Sequence, residues 1–249
     1  RIPLNEQTIW TGGPYDPTLP GGPEALPEIR RLVFAGKFFE AEALFAKAVM
    51  GKPDQMKYQP LGNLFLDFPG HAEAADYSRR LDLDTAIAGV SYRVGEVTFQ
   101  RTVFASVDDQ VIVIRLTADK PGAISFSARL SGIANTNPPG DEEFAGEVLD
   151  DGQLVLRGTT ATSCKIEGRV RYQGRVRILN EGGTRVASKD AVKVEGANAA
   201  TLLIVAATNF KRYDDIGGDP EKLAKEYMAW VENRTYDRLL ARHVEAHQR

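Results

Sequence analysis

Two aspartates, Asp82 and Asp84, have a spacing that could support hydrolysis of a glycosidic bond. That reaction uses two carboxyl groups, which stand about 6.5–9.5 Å apart in enzymes that invert the anomeric centre. Alternate residues of a strand share one face and lie about 6.5–7 Å apart, so the distance fits. Every alternating strand provides this distance, however, and Leu81 and Leu83 are expected to point into the core. We therefore expect both aspartates to face water, and we assign no catalytic residue.

The three histidines and the single cysteine give little support for metal or thiol chemistry. His243 and His247 stand four residues apart on a predicted helix, a spacing that suits zinc. Their order, His-Val-Glu-Ala-His, is not that of a metalloprotease, and no third ligand is evident. Cys164 has Lys165 beside it but no histidine nearby, so we expect a buried, unreactive thiol. The sequence predicts structural or solvent-exposed histidines, no metal site and no cofactor.

A more informative feature is the segment Leu4–Pro17, with the sequence LNEQTIWTGGPYDP. Gly12 and Gly13 permit backbone angles that are closed to other residues, and Pro14 fixes its own φ. Trp10 stands just before this turn, where an indole on a shaped backbone could stack on the apolar face of a sugar ring. A buried aromatic plug explains the same residue equally well.

The composition is that of an ordinary folded protein and gives no reason to expect a nucleic-acid or membrane partner. The 249 residues are 43% hydrophobic and 26% charged, with a formal net charge of −3. Arginines in Gly168–Arg177 alternate with apolar residues, as on the exposed face of a strand. The chain starts at Arg1, so a leader is either removed or not included. The residues leave the compartment undecided, with an exported location, periplasmic or extracellular, favoured.

Apolar spacing predicts two pairs of helices. The first pair forms an insertion at about residues 24–51, packed against a sheet, and its helices end at Gly36 and Gly51. The second pair begins after Asp219 and Thr235, whose side chains can cap helix N-termini.

Between these pairs the apolar residues alternate with a period of two, which predicts many short strands separated by turns. The run Val111–Leu116 is nearly all apolar, as in a strand buried on both faces, and the polar run Asn135–Glu147 is expected to be a long loop. The fold class is mainly β: a large antiparallel β-sandwich, or supersandwich, with the inserted helical pair and C-terminal linker helices. The predicted strands cover residues 61–68, 81–83, 90–94, 97–103, 111–116, 124–130, 154–160, 166–172, 175–179, 192–194 and 200–208.

The segment Leu4–Pro17 resembles the N-terminal signature of the inverting α-L-fucosidases of glycoside hydrolase family 95. Further stretches resemble that family in the same order along nearly the whole chain. They are LPEIRRLVFAGKFFEAEAL, YQPLGNLFLDF, YSRRLDLDTAIAGVSY, FQRTVFASVDDQVIVIRL and AATNFKRYDDIGGDP.

The resemblance implies an N-terminal β-sandwich over residues 1–218 and the start of a helical linker over residues 219–249. The family's (α/α)6 barrel, which holds the glutamate acid and the asparagines and aspartate that activate water, lies outside this chain. We therefore expect the chain alone to be inactive. The implied partners are that barrel and, through the intact enzyme, a fucosylated oligosaccharide whose linkage, α-1,2, is cleaved with inversion. The missing barrel is expected to leave an exposed apolar patch around Tyr227, Trp230 and Leu239.

A supporting role also follows from the resemblance. Two segments are expected to lie against the barrel, where they either form the rim of its cleft or only fix the interface between the domains. Their residues are Trp10, Thr11, Gly12, Gly13 and Pro14 in the first segment, and Tyr58 to Asn63 in the second.

Two other functions stay open. An independent carbohydrate-binding module would use Trp10, Tyr15 and Tyr58 as exposed aromatic residues. Alternatively, the chain is the N-terminal domain of a related enzyme, either a disaccharide phosphorylase or an α-L-galactosidase.

Overall fold

The computed structural model describes residues 1–51, 56–134 and 140–249, which form a sandwich of two antiparallel sheets with four helices. The fold class predicted from the alternating apolar pattern is therefore confirmed. The strands are β1 (Ile2–Leu4), β2 (Gly62–Asp67), β3 (Ala75–Asp82), β4 (Ile87–Val94), β5 (Val97–Ser106), β6 (Val111–Ala118), β7 (Ile124–Ser131), β8 (Glu143–Val148), β9 (Leu154–Thr159), β10 (Arg171–Glu181), β11 (Thr184–Ala187), β12 (Val192–Ala197) and β13 (Ala199–Thr208). The helices are α1 (Gly22–Phe34), α2 (Phe38–Ala48), α3 (Pro220–Val231) and α4 (Tyr236–Gln248).

The smaller sheet has the strand order β1-β2-β7-β12-β11, and the larger has the order β3-β4-β5-β6-β13-β10-β9-β8. Their inner faces interdigitate to form the main core, where Phe126 of the smaller sheet and Leu202 of the larger are fully buried. β6 and β13 are central strands with apolar residues on both faces. In β6, Ile114 lies in the main core and Val113 in a second core beneath the C-terminal helices, as the apolar run predicts.

The helices α1 and α2 form a hairpin that packs mainly on itself. Among the described residues, neither helix makes an extensive contact with a strand, so the expected packing against a sheet is wrong. The predicted end of α1 at Gly36 is confirmed, because Gly36 has φ +73°. The Lys37 N–H donates to the Leu32 carbonyl and the Gly36 N–H to the Val33 carbonyl, the pattern of a Schellman motif.

The helices α3 and α4 lie on the outer face of the larger sheet, and their predicted caps are observed. The Asp219 carboxylate accepts from the Lys222 N–H, and the Thr235 hydroxyl from the Arg238 N–H. The predicted exposed patch is wrong at Leu239, which is fully buried in the second core, although Trp230 is 53% exposed.

The prediction of an exposed arginine face holds for Arg169 and Arg171 but is wrong at Arg175. Arg175 is buried because α3 covers β10, and its guanidinium donates to Gln173 and Gln153. Burial lowers the pKa of Arg175. Of the two strands predicted at residues 166–172 and 175–179, the first is wrong over residues 166–170, which lie outside the strands. The remaining residues belong to one continuous strand, β10.

Three further corrections concern two sheet edges and one exposed turn. Leu81 and Leu83 are exposed rather than inward-facing, because β3 is an edge strand that ends at Asp82. Within the polar run predicted as a loop, residues 135–139 lie outside the described residues, but β8 begins at Glu143 and forms the opposite edge. Cys164 is exposed, in a short turn with positive φ, and so is not the buried thiol that we expected.

Candidate functional site

The turn of residues 10–14, which we call the glycine loop, is held in place by hydrogen bonds to two distant segments. The Thr11 N–H donates to the Lys57 carbonyl at 2.9 Å, and the Lys57 N–H donates to the Thr11 hydroxyl at 3.0 Å. The Gly12 N–H donates to the Ala161 carbonyl at 2.8 Å, while its own carbonyl accepts from the Arg169 N–H at 2.9 Å. Because neighbours on both sides engage it, the loop has one defined conformation.

The two glycines of the loop differ in how strictly the geometry requires them. Gly12 has φ +74°, and a Cβ there would lie 3.1 Å from Met56, so a larger residue would strain the backbone. A Cβ on Gly13 would lie 2.9 Å from the side chain of Arg169, whose guanidinium donates to the Pro14 carbonyl at 2.9 Å. A larger residue at Gly13 would therefore require the Arg169 side chain to move.

Trp10 is partly exposed, with 38% of its surface accessible, and is therefore not a buried plug. Its ring is held edge-to-face against Tyr58 at a centroid distance of 5.5 Å, and its indole N–H donates to the Gln7 carbonyl. The Tyr58 hydroxyl donates to Asn5 and to the Glu6 carbonyl. Burial raises the pKa of Tyr58, which keeps the phenol neutral. Trp10 is thus oriented by a contact behind it, with the rest of its surface free.

The free surface of Trp10 faces a cleft of about 330 Å³, a volume in the range of small-ligand pockets. One wall comes from the N-terminal segment and the other from the connection between β13 and α3. The lining residues are Thr8, Trp10, Thr11, Gly13, Pro14, Tyr15, Pro17, Met56, Val170, Phe210, Tyr213 and Ile216. We call this site the aromatic cleft.

The second wall is tied to the first by buried polar side chains. The hydroxyls of Thr8 and Thr208 lie 2.6 Å apart, and Thr208 also accepts from the Phe210 N–H. Asn209 is buried and accepts from the Arg171 N–H at 2.9 Å while donating to the Arg169 carbonyl at 3.0 Å. Since Arg169 also supports the glycine loop, the same cluster positions both walls.

The predicted rim residues fall into two groups in the structure. Trp10, Thr11, Gly13 and Pro14 line the aromatic cleft, and Gly12 shapes the loop from behind. Tyr58 supports Trp10 without lining the cleft.

Asn63 belongs to a different part of the fold. It lies in β2, opposite Pro3 and Ser131, and is buried there. Within the described ranges of the chain, its Oδ1 has no hydrogen-bond partner.

Phe210, Tyr213 and Ile216 line the cleft but were not predicted as site residues. The available signal was the resemblance of the stretch AATNFKRYDDIGGDP to the same family as the glycine loop. Tyr213 is the most exposed of the three, with 84% of its surface accessible at the mouth of the cleft.

The chemistry of the aromatic cleft is suited to binding rather than to bond cleavage. None of its lining residues, all within the described part of the chain, carries a carboxylate. The nearby Asp214 and Asp215 face Arg212 and Lys211, at 2.7 Å and 3.8 Å. A glycosidase needs an acid and a base or nucleophile at the scissile bond, and the described lining residues of this cleft supply neither.

The other candidate residues have structural roles. The Asp82 carboxylate accepts from the N–H groups of Asp84 and Thr85, so it holds a turn rather than facing a substrate. His243 and His247 donate to the Thr85 and Leu83 carbonyls at 2.9 Å, which confirms them as structural. Among the residues that the structure describes, no group of three or more potential ligands could hold a metal ion. No helix in the same ranges is long and apolar enough to cross a membrane.

Comparisons with known proteins match nearly the whole chain. A family model described as "Glycosyl hydrolase family 65, N-terminal domain" matches residues 1–213. "Alpha-L-fucosidase 2" of Arabidopsis thaliana is 35% identical over 99% of this chain and 31% of its own length. "Probable alpha-fucosidase A" of Aspergillus niger is 28% identical over 99% of this chain and 32% of its own length.

A solved structure described as a kojibiose phosphorylase from the human microbiome has the same fold, with a TM-score of 0.51. It is 11% identical and covers 76% of this chain and 28% of its own. The chain spans about a third of the length of the curated relatives that it matches. The two fucosidases agree with the resemblance found in the glycine loop, and the family model agrees with the β-sandwich. The chain therefore belongs to the family of glycosyl hydrolase family 65 N-terminal domains, and its curated relatives place it with the fucosidase-like glycoside hydrolases.

Proposed function

We propose that this chain is the non-catalytic N-terminal domain of an enzyme that hydrolyses α-L-fucosyl linkages, of the α-1,2 type, with inversion. The proposal rests on the aromatic cleft, whose described lining residues offer ring faces but no carboxylate. In the intact enzyme the cleft forms part of the rim at which a fucosylated oligosaccharide enters. The acid and base belong to a catalytic (α/α)6 barrel elsewhere in the longer polypeptide.

The aromatic cleft suits a sugar because it combines rigid ring faces with a fixed backbone. Trp10 is oriented by Tyr58, and Phe210 is anchored through Thr208, so little conformational entropy is lost on binding. Aromatic contacts with a ring-shaped partner contribute about 0.5–1.5 kcal/mol each. Such a cleft adds affinity and orientation to a reaction carried out elsewhere.

The test compares the 249-residue chain with the full gene product that contains it, using 2′-fucosyllactose and proton NMR. We expect the full gene product to release fucose as the β-anomer first, because the reaction inverts the α linkage. The chain alone should release none. Fucose release by the chain alone, or no release by the full gene product, would overturn the proposal.

Single variants of the full gene product test the role of the cleft. Trp10→Ala and Tyr213→Ala should each lower kcat/KM by about 2–10-fold, the change expected for losing one aromatic contact. Tyr77→Ala is the matched control, because Tyr77 is also exposed but lies on the edge strand β3. Equal effects at Tyr77 and Tyr213 would remove the cleft from the proposal.

An independent carbohydrate-binding module is the second candidate, favoured by the exposed rings of Trp10 and Tyr213 in the aromatic cleft. Saturation-transfer NMR on the chain alone separates the two functions. Binding of 2′-fucosyllactose that disappears in Trp10→Ala would support the module. Cleavage by the full gene product only in the presence of phosphate would instead indicate a disaccharide phosphorylase, and preference for an α-L-galactoside would indicate an α-L-galactosidase.

A further inference from the structure

The turn between α1 and α2 carries three phenylalanines that are exposed to solvent. Phe34, Phe38 and Phe39 have 89%, 65% and 87% of their surface accessible, and Val33 beside them is also exposed. Large apolar side chains grouped in this way mark a surface that another molecule or segment covers. We call these four residues the phenylalanine knob.

The fold holds the knob in a fixed position. Ile29 and Leu32 of α1 and Ala41 of α2 are buried where the two helices pack together. The Schellman motif at Gly36 fixes the turn between them. The described residues of this chain leave the phenylalanines uncovered. The knob is therefore a preformed contact site with a defined conformation.

The shape and size of the knob decide between two kinds of partner. The three rings offer about 500 Å² of apolar surface, because a phenylalanine exposes up to about 200 Å². A standard dimer buries about 800 Å² on each partner, whereas contacts between domains of one chain begin at about 600 Å² in total. Two convex knobs are also not complementary to each other, as a symmetric dimer through this surface would require.

We propose that the phenylalanine knob docks into an apolar groove on the remaining part of the longer polypeptide. This inference rests on the proposed function, and the length of the relatives supports it. They match 99% of this chain but are about three times as long. The docked knob is then a contact between this domain and the rest of the enzyme.

Hydrogen exchange measures the docking directly. The amides of residues 30–41 should exchange about ten-fold more slowly in the full gene product than in the 249-residue chain, because docking suppresses local opening. Equal exchange in the two proteins would overturn the proposal. Slower amide exchange in a wild-type full gene product that has no fucosidase activity would support the docking and count only against the proposed function.

A double variant, Phe34→Asp with Phe39→Asp, provides the second measurement. It should leave the unfolding temperature of the 249-residue chain unchanged and lower that of the full gene product, whereas Tyr77→Asp should lower neither. If the wild-type chain forms a concentration-dependent dimer that the double variant abolishes, a second copy is the partner and the proposal is wrong. No change in either protein would also overturn it.

Discussion

The two helical pairs of this protein share a helical spacing of apolar residues, but only one pair buries those residues against a sheet. Both carry apolar stripes with helical spacing. In α3 and α4 the stripe is buried, with Met228, Val231 and Leu239 in the second core. In α1 and α2 the helices bury only a few residues against each other, and Phe34 and Phe39 are exposed. An amphipathic helix thus has a face that favours burial, but a complementary surface must be present to bury it.

Polar anchors are the second difference between the pairs. Asp109, in the turn between β5 and β6, is fully buried and accepts from the indole of Trp230 and the guanidinium of Arg242. On the same helix as Arg242, His243 and His247 donate to carbonyls of the turn between β3 and β4. The ion pair Arg31–Glu28, by contrast, lies within α1 and holds the first pair to nothing else. Polar contacts as well as apolar packing therefore hold the second pair of helices to the sandwich.

Truncating one apolar residue in each pair should show the largest contrast. Leu239→Ala removes a fully buried side chain and is expected to lower the free energy of unfolding by about 3–5 kcal/mol. Phe39→Ala removes an exposed ring and should change the free energy of unfolding of this chain by less than about 0.5 kcal/mol. Urea denaturation followed by circular dichroism measures both. Similar losses for the two variants would mean that α1 and α2 are covered within this chain.

The anchor at Asp109 should have the next largest effect. Asp109→Asn keeps the shape but removes the charge that Arg242 faces, and about 2–3 kcal/mol should be lost, since Arg242 is partly exposed. Asp108→Asn is the matched control, because Asp108 faces Arg249 at 3.6 Å near the surface. We expect less than about 1 kcal/mol there. If both substitutions cost the same in urea denaturation, the buried anchor is not what holds α4.

The two histidines of α4 allow a finer test. His243 is buried, stacks on Phe104 at a centroid distance of 4.8 Å and donates to Thr85. His243→Ala is expected to cost about 2 kcal/mol, from the lost packing and an unsatisfied carbonyl. His247→Ala removes an exposed ring and should cost about 0.5 kcal/mol. A larger loss at His247 than at His243 would indicate that the last turn of α4, rather than its buried face, anchors the helix.

The smallest effect is expected at the turn that presents the phenylalanine knob. Gly36→Ala places a Cβ at φ +73° and should cost about 1 kcal/mol. Gly22→Ala at the start of α1 meets no atom within 3.4 Å and is the neutral control. Thermal unfolding of both variants checks the difference. No loss for Gly36→Ala would mean that the turn is not held in the observed conformation.

Local signals in the sequence predicted the sandwich and many of its details. The alternation of apolar residues predicted the two sheets, the run Val111–Leu116 predicted a central strand, and Asp219 and Thr235 predicted helix starts. These predictions succeed because periodicity and capping depend on residues close together in the chain. The glycine loop was found for the same reason, since the positive φ that Gly12 permits is a local property of the backbone.

Part of the candidate site could not be found in this way. Trp10 and Tyr213 are about 200 positions apart in the sequence. They line the same cleft because the fold brings their two segments together, where the hydroxyls of Thr8 and Thr208 are hydrogen-bonded. A motif shows that a residue is special without showing what it faces.

By itself, the amino-acid sequence determined the class of most elements, the ends of several helices, the shaped turn at Gly12 and the similarity to the fucosidase-like hydrolases. Only the tertiary structure decided which faces are covered: Arg175 lies under α3, Leu83 is on an open edge and Phe39 is in solvent. The physical reason is that a repeat of 2 or 3.6 residues assigns side chains to a common face. What packs on that face depends on segments that are far away in the chain.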